Sequence, residues 1–598
     1  MAFQDFDLIS QRREQQRREK LRRRITTAVV SSVVVLLVVG AAMGAAVIKS
    51  NNESDVSLSE NNKSHHPSSP SSSSHSPSSS SSPSPNVAEA VAKRVCSVVD
   101  YKKTCEGSLL KQVKGKDEAK PEAIVKASLS VALKEVGGAM NRSREIEFDT
   151  PFKKAAFNDC LVLLNDAVEE LNASISSIEG GGLSSATPEI KNWLSAVLSY
   201  QQTCIDGFPD GAEKDKMQKL LNTSKELGSN ALAVVTQASA IFKALRGSKS
   251  SERRLLASDD GFVVPDWVDP ESRRVLKSKE SKFTPNATVA KDGTGNFTTI
   301  AAALDAIPEK FKGRYVIYIK EGIYDESVVV SKKMQNITMY GDGSQKSIIT
   351  GNKNYVDGVP TYQTATFAVV GDGFLGQSLG FRNTAGPEKH QAVALRVQSD
   401  RSIFVNCRME GYQDTLYAQT HRQFYRSCYI RGTVDFIFGD AAAVFQNCMI
   451  YVTKPLENQK NVVTAQGRID KRQTTGIVLQ NCKILADDQL EPVKARFQTY
   501  LGRPWKEYSR TIVMESEIGD LISPAGWLEW SGDFALKTLF YGEYNNKGPG
   551  SGTSDRVKWA GYKTLQRNDA LRFTAGPFLQ GETWLDAAVV PVRFGMFT

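Results

Sequence analysis

Residues 401–450 read RSIFVNCRMEGYQDTLYAQTHRQFYRSCYIRGTVDFIFGDAAAVFQNCMI, and their period decides the fold. Asn406-Cys407 and Asn447-Cys448 each close an apolar run, as Asn481-Cys482 does further on, and Cys407, Cys428 and Cys448 follow at intervals of 21 and 20. A period of about 20 to 22 residues with one short strand cluster per repeat predicts a parallel β-helix, whose coils bury a continuous core by stacking. The asparagines are expected to form a ladder inside it. Many short strands also suit a β-sandwich, the second fold this pattern admits.

Outward from that stretch the same texture continues. Strands are expected at Tyr315 to Ile319, Ile337 to Tyr340, Ala365 to Val370, Ala392 to Val397, Ile403 to Val405, Ile477 to Leu479 and Thr511 to Met514. No helix-length segment separates them, which argues against an alternating parallel α/β sheet. Ahead of them Thr298 is expected to cap a short helix with Ile300, Leu304 and Ile307 on one face.

A second interval carries chemistry. Gln391, Gln413 and Asp435 are each 22 residues apart, and Asp414 directly follows Gln413. Adjacent coils of a β-helix lie about 4.8 Å apart, so this interval predicts one column of two amides and a carboxylate, with a second carboxylate alongside. Two such carboxyls separate in pKa, one charged and one holding a proton. Arg503 is placed to favour the charged form of Asp435 by a bidentate contact, and the amides to donate to a developing oxyanion. Neighbours on a regular strand point to opposite faces, so Gln413 and Asp414 share the cleft only if the backbone bends there.

The first half reads differently. A basic head over residues 1–24 precedes an uncharged run, Ile25 to Ile48, long enough to cross a bilayer. Its positive flank predicts a cytosolic N-terminus with the rest of the chain across the membrane. The small residues Ala41-Ala42-Met43-Gly44-Ala45-Ala46 suit a cleaved signal peptide equally well. Residues 49–86 form a Ser/Pro-rich tether that cannot bury a core, holding His65, His66 and His75 of the chain's 5 histidines.

From 87 to 246 apolar residues recur at helical spacing, as in Leu161, Leu164, Ala167 and Leu171, with breaks expected at Gly137-Gly138, Gly180-Gly181-Gly182 and Gly207-Phe208-Pro209. An antiparallel all-α four-helix bundle follows. Residues 247–283 are a polar linker whose Arg253-Arg254-Leu255-Leu256 suits a processing protease. Eight cysteines divide evenly between the halves, and an exported chain permits disulfides without fixing their pairing. Asn141, Asn172, Asn222, Asn286 and Asn336 begin N-glycosylation triplets. No cysteine or histidine spacing suits a metal, and no cofactor is expected. From Gly261 to the end 41 Lys and Arg stand against 35 Asp and Glu, a mild excess that favours a polyanionic partner.

Gly411-Tyr412-Gln413-Asp414-Thr415-Leu416-Tyr417, Gly432-Thr433-Val434-Asp435-Phe436-Ile437-Phe438-Gly439, Leu501-Gly502-Arg503-Pro504-Trp505 and His390-Gln391-Ala392-Val393-Ala394-Leu395-Arg396 together resemble the signature blocks of plant pectin methylesterases. The resemblance covers residues 284–598 and implies a catalytic domain with a right-handed parallel β-helix. The helical region 87–246 is similar to the family's inhibitor-like pro-region, with Cys96–Cys105 and Cys160–Cys204 as its implied disulfides. The resemblance also implies a Cys428–Cys448 bridge, cleavage at Arg253-Arg254-Leu255-Leu256, and a route through the secretory pathway to the cell wall. Methyl-esterified homogalacturonan is the implied substrate, with inhibitor proteins and a processing protease as partners and no nucleic acid.

The implied roles are Asp435 as nucleophile, Asp414 as proton donor and then base, Gln391 and Gln413 as oxyanion donors, and Arg503 as the group orienting Asp435. Trp505 would wall the sugar site and Thr361 would touch substrate. Three other readings fit parts of the sequence: Gly376-Gln377-Ser378-Leu379-Gly380 as a serine-nucleophile turn, which needs a helix after Ser378; an inhibitor or wall-binding protein acting through its helical half; and a lyase on the same scaffold.

Overall fold

The computed structural model describes residues 87–113, 120–245, 284–309, 311–585 and 590–597. The expected membrane or signal segment, the histidine-bearing tether and the Arg253-Arg254-Leu255-Leu256 site lie outside the described residues. No helix among the described residues is long and apolar enough to cross a membrane.

The helical region contains α1 (Val87–Ser97), α2 (Lys102–Val113), α3 (Pro121–Ser143), α4 (Pro151–Gly181), α5 (Leu183–Asp206) and α6 (Ala212–Leu245). The last four are the long members of a bundle with one apolar core, in which Leu129, Leu164, Leu171, Leu194 and Leu232 are fully buried. Local signals set their ends. Pro151 opens α4 behind Thr150, whose hydroxyl accepts from the Lys153 amide, and Gly182 closes it at φ +78°. The expected break at Gly137-Gly138 does not occur, and α3 runs straight through both glycines. Val136 and Ala139 beside them are fully buried in the bundle core, and that packing outweighs a helix cost of about 1 kcal/mol per glycine. Disulfides join Cys96 to Cys105 and Cys160 to Cys204.

The second region is a parallel β-helix of three sheets, with 11, 7 and 8 strands. The short helix after its first strand, Ile300–Asp305, is capped by Thr299, one residue later than expected. The 7-stranded sheet matters for function. Its strands are Val328–Val330, Phe367–Val369, Leu395–Val397, Leu416–Ala418, Ile437–Gly439, Asn461–Gln466 and Thr499–Gly502, in spatial order. The register pairs Leu395 with Leu416 and Leu416 with Ile437, a period of 21 residues here.

One corner recurs in left-handed backbone conformation, at Ser378, Asn406, Ser427, Asn447, Asn481 and Glu515, all with φ between 52° and 56°. Asparagine tolerates this conformation through local hydrogen bonding. The asparagines therefore do not form an internal ladder: Asn406 is exposed, and Asn447 and Asn481 are half-buried with Asn481 Nδ2 donating to Asn447 Oδ1 at 3.1 Å. The inward position belongs to the following residue, so Cys407, Cys428, Cys448 and Cys482 stack inside as free, buried thiols.

The implied Cys428–Cys448 bridge is thus not formed. The two thiols instead donate to carbonyls of the preceding coil, Cys428 Sγ to Phe404 O at 3.4 Å and Cys448 Sγ to Tyr425 O at 3.6 Å. Ser378 occupies the same corner and runs into the strand Gly380–Asn383, without the helix a serine nucleophile would need.

Candidate active site

Asp414 and Asp435 each occupy the turn that enters a strand of the 7-stranded sheet, two residues before Leu416 and Ile437. They are 21 residues apart, so the coil register aligns them with each other. The 22-residue interval of Gln391, Gln413 and Asp435 is one longer than the coil and runs diagonally across the sheet rather than along a column. The bend required at Gln413-Asp414 is present, because Asp414 has φ +63° and Asp435 φ +52°. The Asp414 amide donates to Val434 O at 3.0 Å and ties the two turns together. Gly432 opens the second turn, where a Cβ would lie 2.2 Å from that of Phe436.

The two carboxyls have different surroundings. Arg503, which follows the strand Thr499–Gly502, grips Asp435 from two nitrogens: Nε donates to Oδ1 at 2.8 Å and Nη2 to Oδ2 at 2.6 Å. Its guanidinium lies 4.4 Å from the ring centre of Trp530. Asp414 is buried with no such clamp. Burial first, and then the Asp435 charge, hold its carboxyl well above the usual range against the opposing pull of Arg503. The pair therefore sets an Asp435 clamped by Arg503 beside a buried Asp414 whose carboxyl is shifted toward the protonated form.

Gln391 and Gln413 are half-buried, and their side-chain amides have no hydrogen-bond partner among the described residues. An aromatic row borders the site: Tyr417 stacks on Phe438 at 4.2 Å, and Trp505 meets Phe438 edge-on at 5.9 Å. Gly467 makes room for Trp505, whose ring would lie 2.9 Å from a Cβ there. Thr361 begins a one-turn 3-10 helix beside Tyr362, whose ring lies 3.6 Å from the Arg396 guanidinium. No contact joins Thr361 to the carboxyl pair among the described residues. Sequence reasoning overlooked Trp530, Tyr417 and Phe438. The last two were within reach of it, since each stands three residues after its aspartate and repeats at the coil period.

The helical region lies against this side of the β-helix. Thr203 Oγ1 is 3.4 Å from Tyr417 OH, Lys506 next to Trp505 donates to Asp206 at 2.7 Å, and Gln363 donates to Asp159 at 2.7 Å. His421, fully enclosed, lies 3.0 Å from Tyr200 OH, 3.2 Å from Asn192 Nδ2 and 3.5 Å from Glu170 Oε1. Tyr362 and Ile469 of the β-helix join the apolar core of the bundle.

Residues 286–582 match the family described as Pectinesterase, and residues 90–234 the one described as Plant invertase/pectin methylesterase inhibitor. The chain is 50% identical over 519 residues to "Probable pectinesterase/pectinesterase inhibitor 13" of Arabidopsis thaliana, covering 86% of this chain and 83% of that one. It is 48% identical over 458 residues to pectinesterase 1 of Citrus sinensis, covering 75% and 78%. Among solved structures, a pectin methylesterase from carrot aligns with a TM-score of 0.52 and 53% identity, over 53% of this chain and all of that one. Its likeness assigns the stacked parallel sheets to the right-handed β-helix of pectin methylesterases. The clamped Asp435, its buried neighbour Asp414 and the helical region packed on this side thus sit in a chain that belongs to the pectinesterase family of carboxylic ester hydrolases, with an inhibitor-type helical region preceding its catalytic β-helix.

Proposed function

We propose that the protein demethylates pectin through Asp435 as nucleophile. A carboxylate oxygen of Asp435 attacks the methyl-ester carbonyl of a galacturonate residue, and the bidentate Arg503 contact supports this role by fixing the direction of that oxygen. The amides of Gln391 and Gln413 donate to the tetrahedral oxyanion, each worth about 3 kcal/mol by comparison with other oxyanion donors. Asp414 transfers its proton to the departing methoxide, so methanol leaves and a mixed anhydride with Asp435 remains. Asp414, now a base, takes a proton from water, whose oxygen adds to the anhydride. Galacturonate and free Asp435 result, with Asp414 reprotonated.

The observation that carries this reading is the pairing of Asp435, clamped by Arg503, with the buried, unclamped Asp414 one coil away. Asp435→Asn is expected to abolish methanol release from esterified pectin while the circular dichroism spectrum is unchanged. Activity near wild type in that variant would overturn the mechanism.

Around this core we place methyl-esterified homogalacturonan along the 7-stranded sheet, with Trp505 as a stacking wall and Thr361 at its margin. The helical region acts as an inhibitor in cis, supported by its contacts at Tyr417 and at Lys506 beside Trp505. Arg253-Arg254-Leu255-Leu256 is the proposed point of its removal, on the way to an extracellular site of action in the plant cell wall. Ile25 to Ile48 serves as anchor or cleaved signal on that route, and inhibitor proteins in trans are further proposed partners.

A further inference from the structure

The salt bridges between the helical region and the β-helix are all of one polarity among the described residues. Lys332 pairs with Asp166 at 3.2 Å and Glu169 at 2.8 Å, and Arg422 with Glu189 at 2.6 Å. Lys471 and Arg472 pair with Asp100 at 3.0 and 2.6 Å, and Lys506 with Asp206 at 2.7 Å. Every acid belongs to the helical region and every base to the β-helix. Lys332, Lys471 and Lys506 have no acidic partner on the β-helix itself among the described residues. Arg422 does have one, Asp400 at 2.6 Å, which holds that guanidinium toward Glu189.

The bases also follow a line. Lys332 comes after the first strand of the 7-stranded sheet, Arg422 after the fourth, Lys471 and Arg472 after the sixth, and Lys506 after the seventh. Six strand steps separate the ends, so the stripe runs for about 29 Å along the stack at the strand spacing of a sheet. At its end Lys506 Nζ lies 4.8 Å from the ring centre of Trp505, which joins the stripe to the catalytic cleft. A row of cations of this length beside an active site, its three lysines without an acid on the β-helix and Arg472 with only Asp470 at 3.9 Å, matches a linear polycarboxylate better than a compact anion.

We infer that this stripe is a binding surface for runs of already demethylated galacturonate, and that the carboxylates of the helical region occupy it as an electrostatic stand-in for that polymer. The inference rests on the esterase reading, because such runs are the product of the reaction proposed above. It makes the product a competitor of the inhibitor: as demethylated stretches accumulate, they displace Asp100, Asp206 and Glu189 from their partners.

Hydrogen exchange on the full chain tests this with fully demethylated oligogalacturonate and with a fully methyl-esterified oligomer of the same length. The demethylated oligomer is expected to raise exchange in α5 about tenfold in a saturable way that high salt suppresses, and the esterified one to leave it unchanged. The triple variant Lys332→Ala, Lys471→Ala, Arg472→Ala is expected to shift the midpoint of that response about tenfold upward, whatever its starting exchange. No response at saturating demethylated oligomer, an equal response to the esterified one, or an unshifted midpoint in the triple variant would each overturn the inference. Exchange needs no turnover and is read equally on Asp435→Asn. A wild-type chain that releases methanol without the exchange response sinks this surface alone, whereas a wild-type chain that responds yet releases no methanol from esterified pectin once the helical region is displaced sinks the esterase assignment.

Discussion

Replacing Arg503 by lysine isolates the clamp on Asp435. The guanidinium holds both carboxylate oxygens, at 2.8 and 2.6 Å, and lies over the Trp530 ring, 4.4 Å from its centre. A lysine keeps the charge but presents a single ammonium with no planar fork, so it can hold one oxygen and cannot lie on the ring in the same way. The variant therefore loses one charge-assisted hydrogen bond, worth about 1.5–3 kcal/mol, and the orientation of the attacking oxygen with it. In the proposed mechanism that orientation counts at the attack, so kcat should fall by roughly 10- to 150-fold while KM changes little. Methanol release across a range of esterified pectin concentrations separates the two parameters. Arg503→Ala should cost more, because it leaves a buried Asp435 unpaired, at about 3–5 kcal/mol. If Arg503→Lys keeps kcat within threefold of wild type, or raises KM alone, the clamp does not orient the nucleophile and the reasoning fails.

Asp414→Asn should reduce methanol release by about 10²- to 10⁴-fold. It should also raise the thermal midpoint at alkaline pH: a carboxyl with a raised folded-state pKa favours folding at low pH, and that contribution is lost as pH climbs through the raised value. An alkaline midpoint at or below that of wild type would contradict the assignment. The docked helical region should likewise loosen as pH rises. Asp159, facing Gln363 and Arg396, is pushed by burial from 3.8 to about 6, so its contribution is complete below the lower value and lost through about 6, worth roughly 3 kcal/mol. His421 acts in the same direction. Burial pulls its pKa down, the Glu170 carboxylate outweighs that, and its contribution fades above the raised value. Hydrogen exchange of α5 against pH reads the loosening, and Asp159→Asn should flatten it between about pH 4 and 6. Finally, Gly432→Ala places a Cβ 2.2 Å from that of Phe436 and should destabilise the fold by about 1–3 kcal/mol, seen as a lower thermal midpoint with reduced activity.

Much of this architecture was legible in the residue order, because a coil repeats its neighbours and so writes its period into the chain. The Asn-Cys pairs marked the corners, and the blocks around Asp414, Asp435 and Arg503 marked the site. The reading erred where a local rule met packing. Gly137-Gly138 looked like a break, but the buried residues beside it keep α3 continuous. Asn406, Asn447 and Asn481 looked internal, but a left-handed corner turns each outward and gives the inside to the cysteine after it.

What the sequence alone determined, then, is the approximate coil period and the order of the two regions, both of which are properties of spacing along one chain, and it supplied the candidate reacting groups. The tertiary structure decided what spacing cannot carry. The true register is 21 and aligns Asp414 with Asp435, because hydrogen bonds between strands, not intervals between glutamines, set which residues are neighbours. The left-handed backbone at Asp414 supplies the bend that Gln413 and Asp414 need in order to share a cleft. Trp530 under Arg503, and the acids of the helical region on the bases of the β-helix, meet only through folding. Partners as far apart in the chain as Asp100 and Arg472 leave no periodic trace for a sequence reading to find.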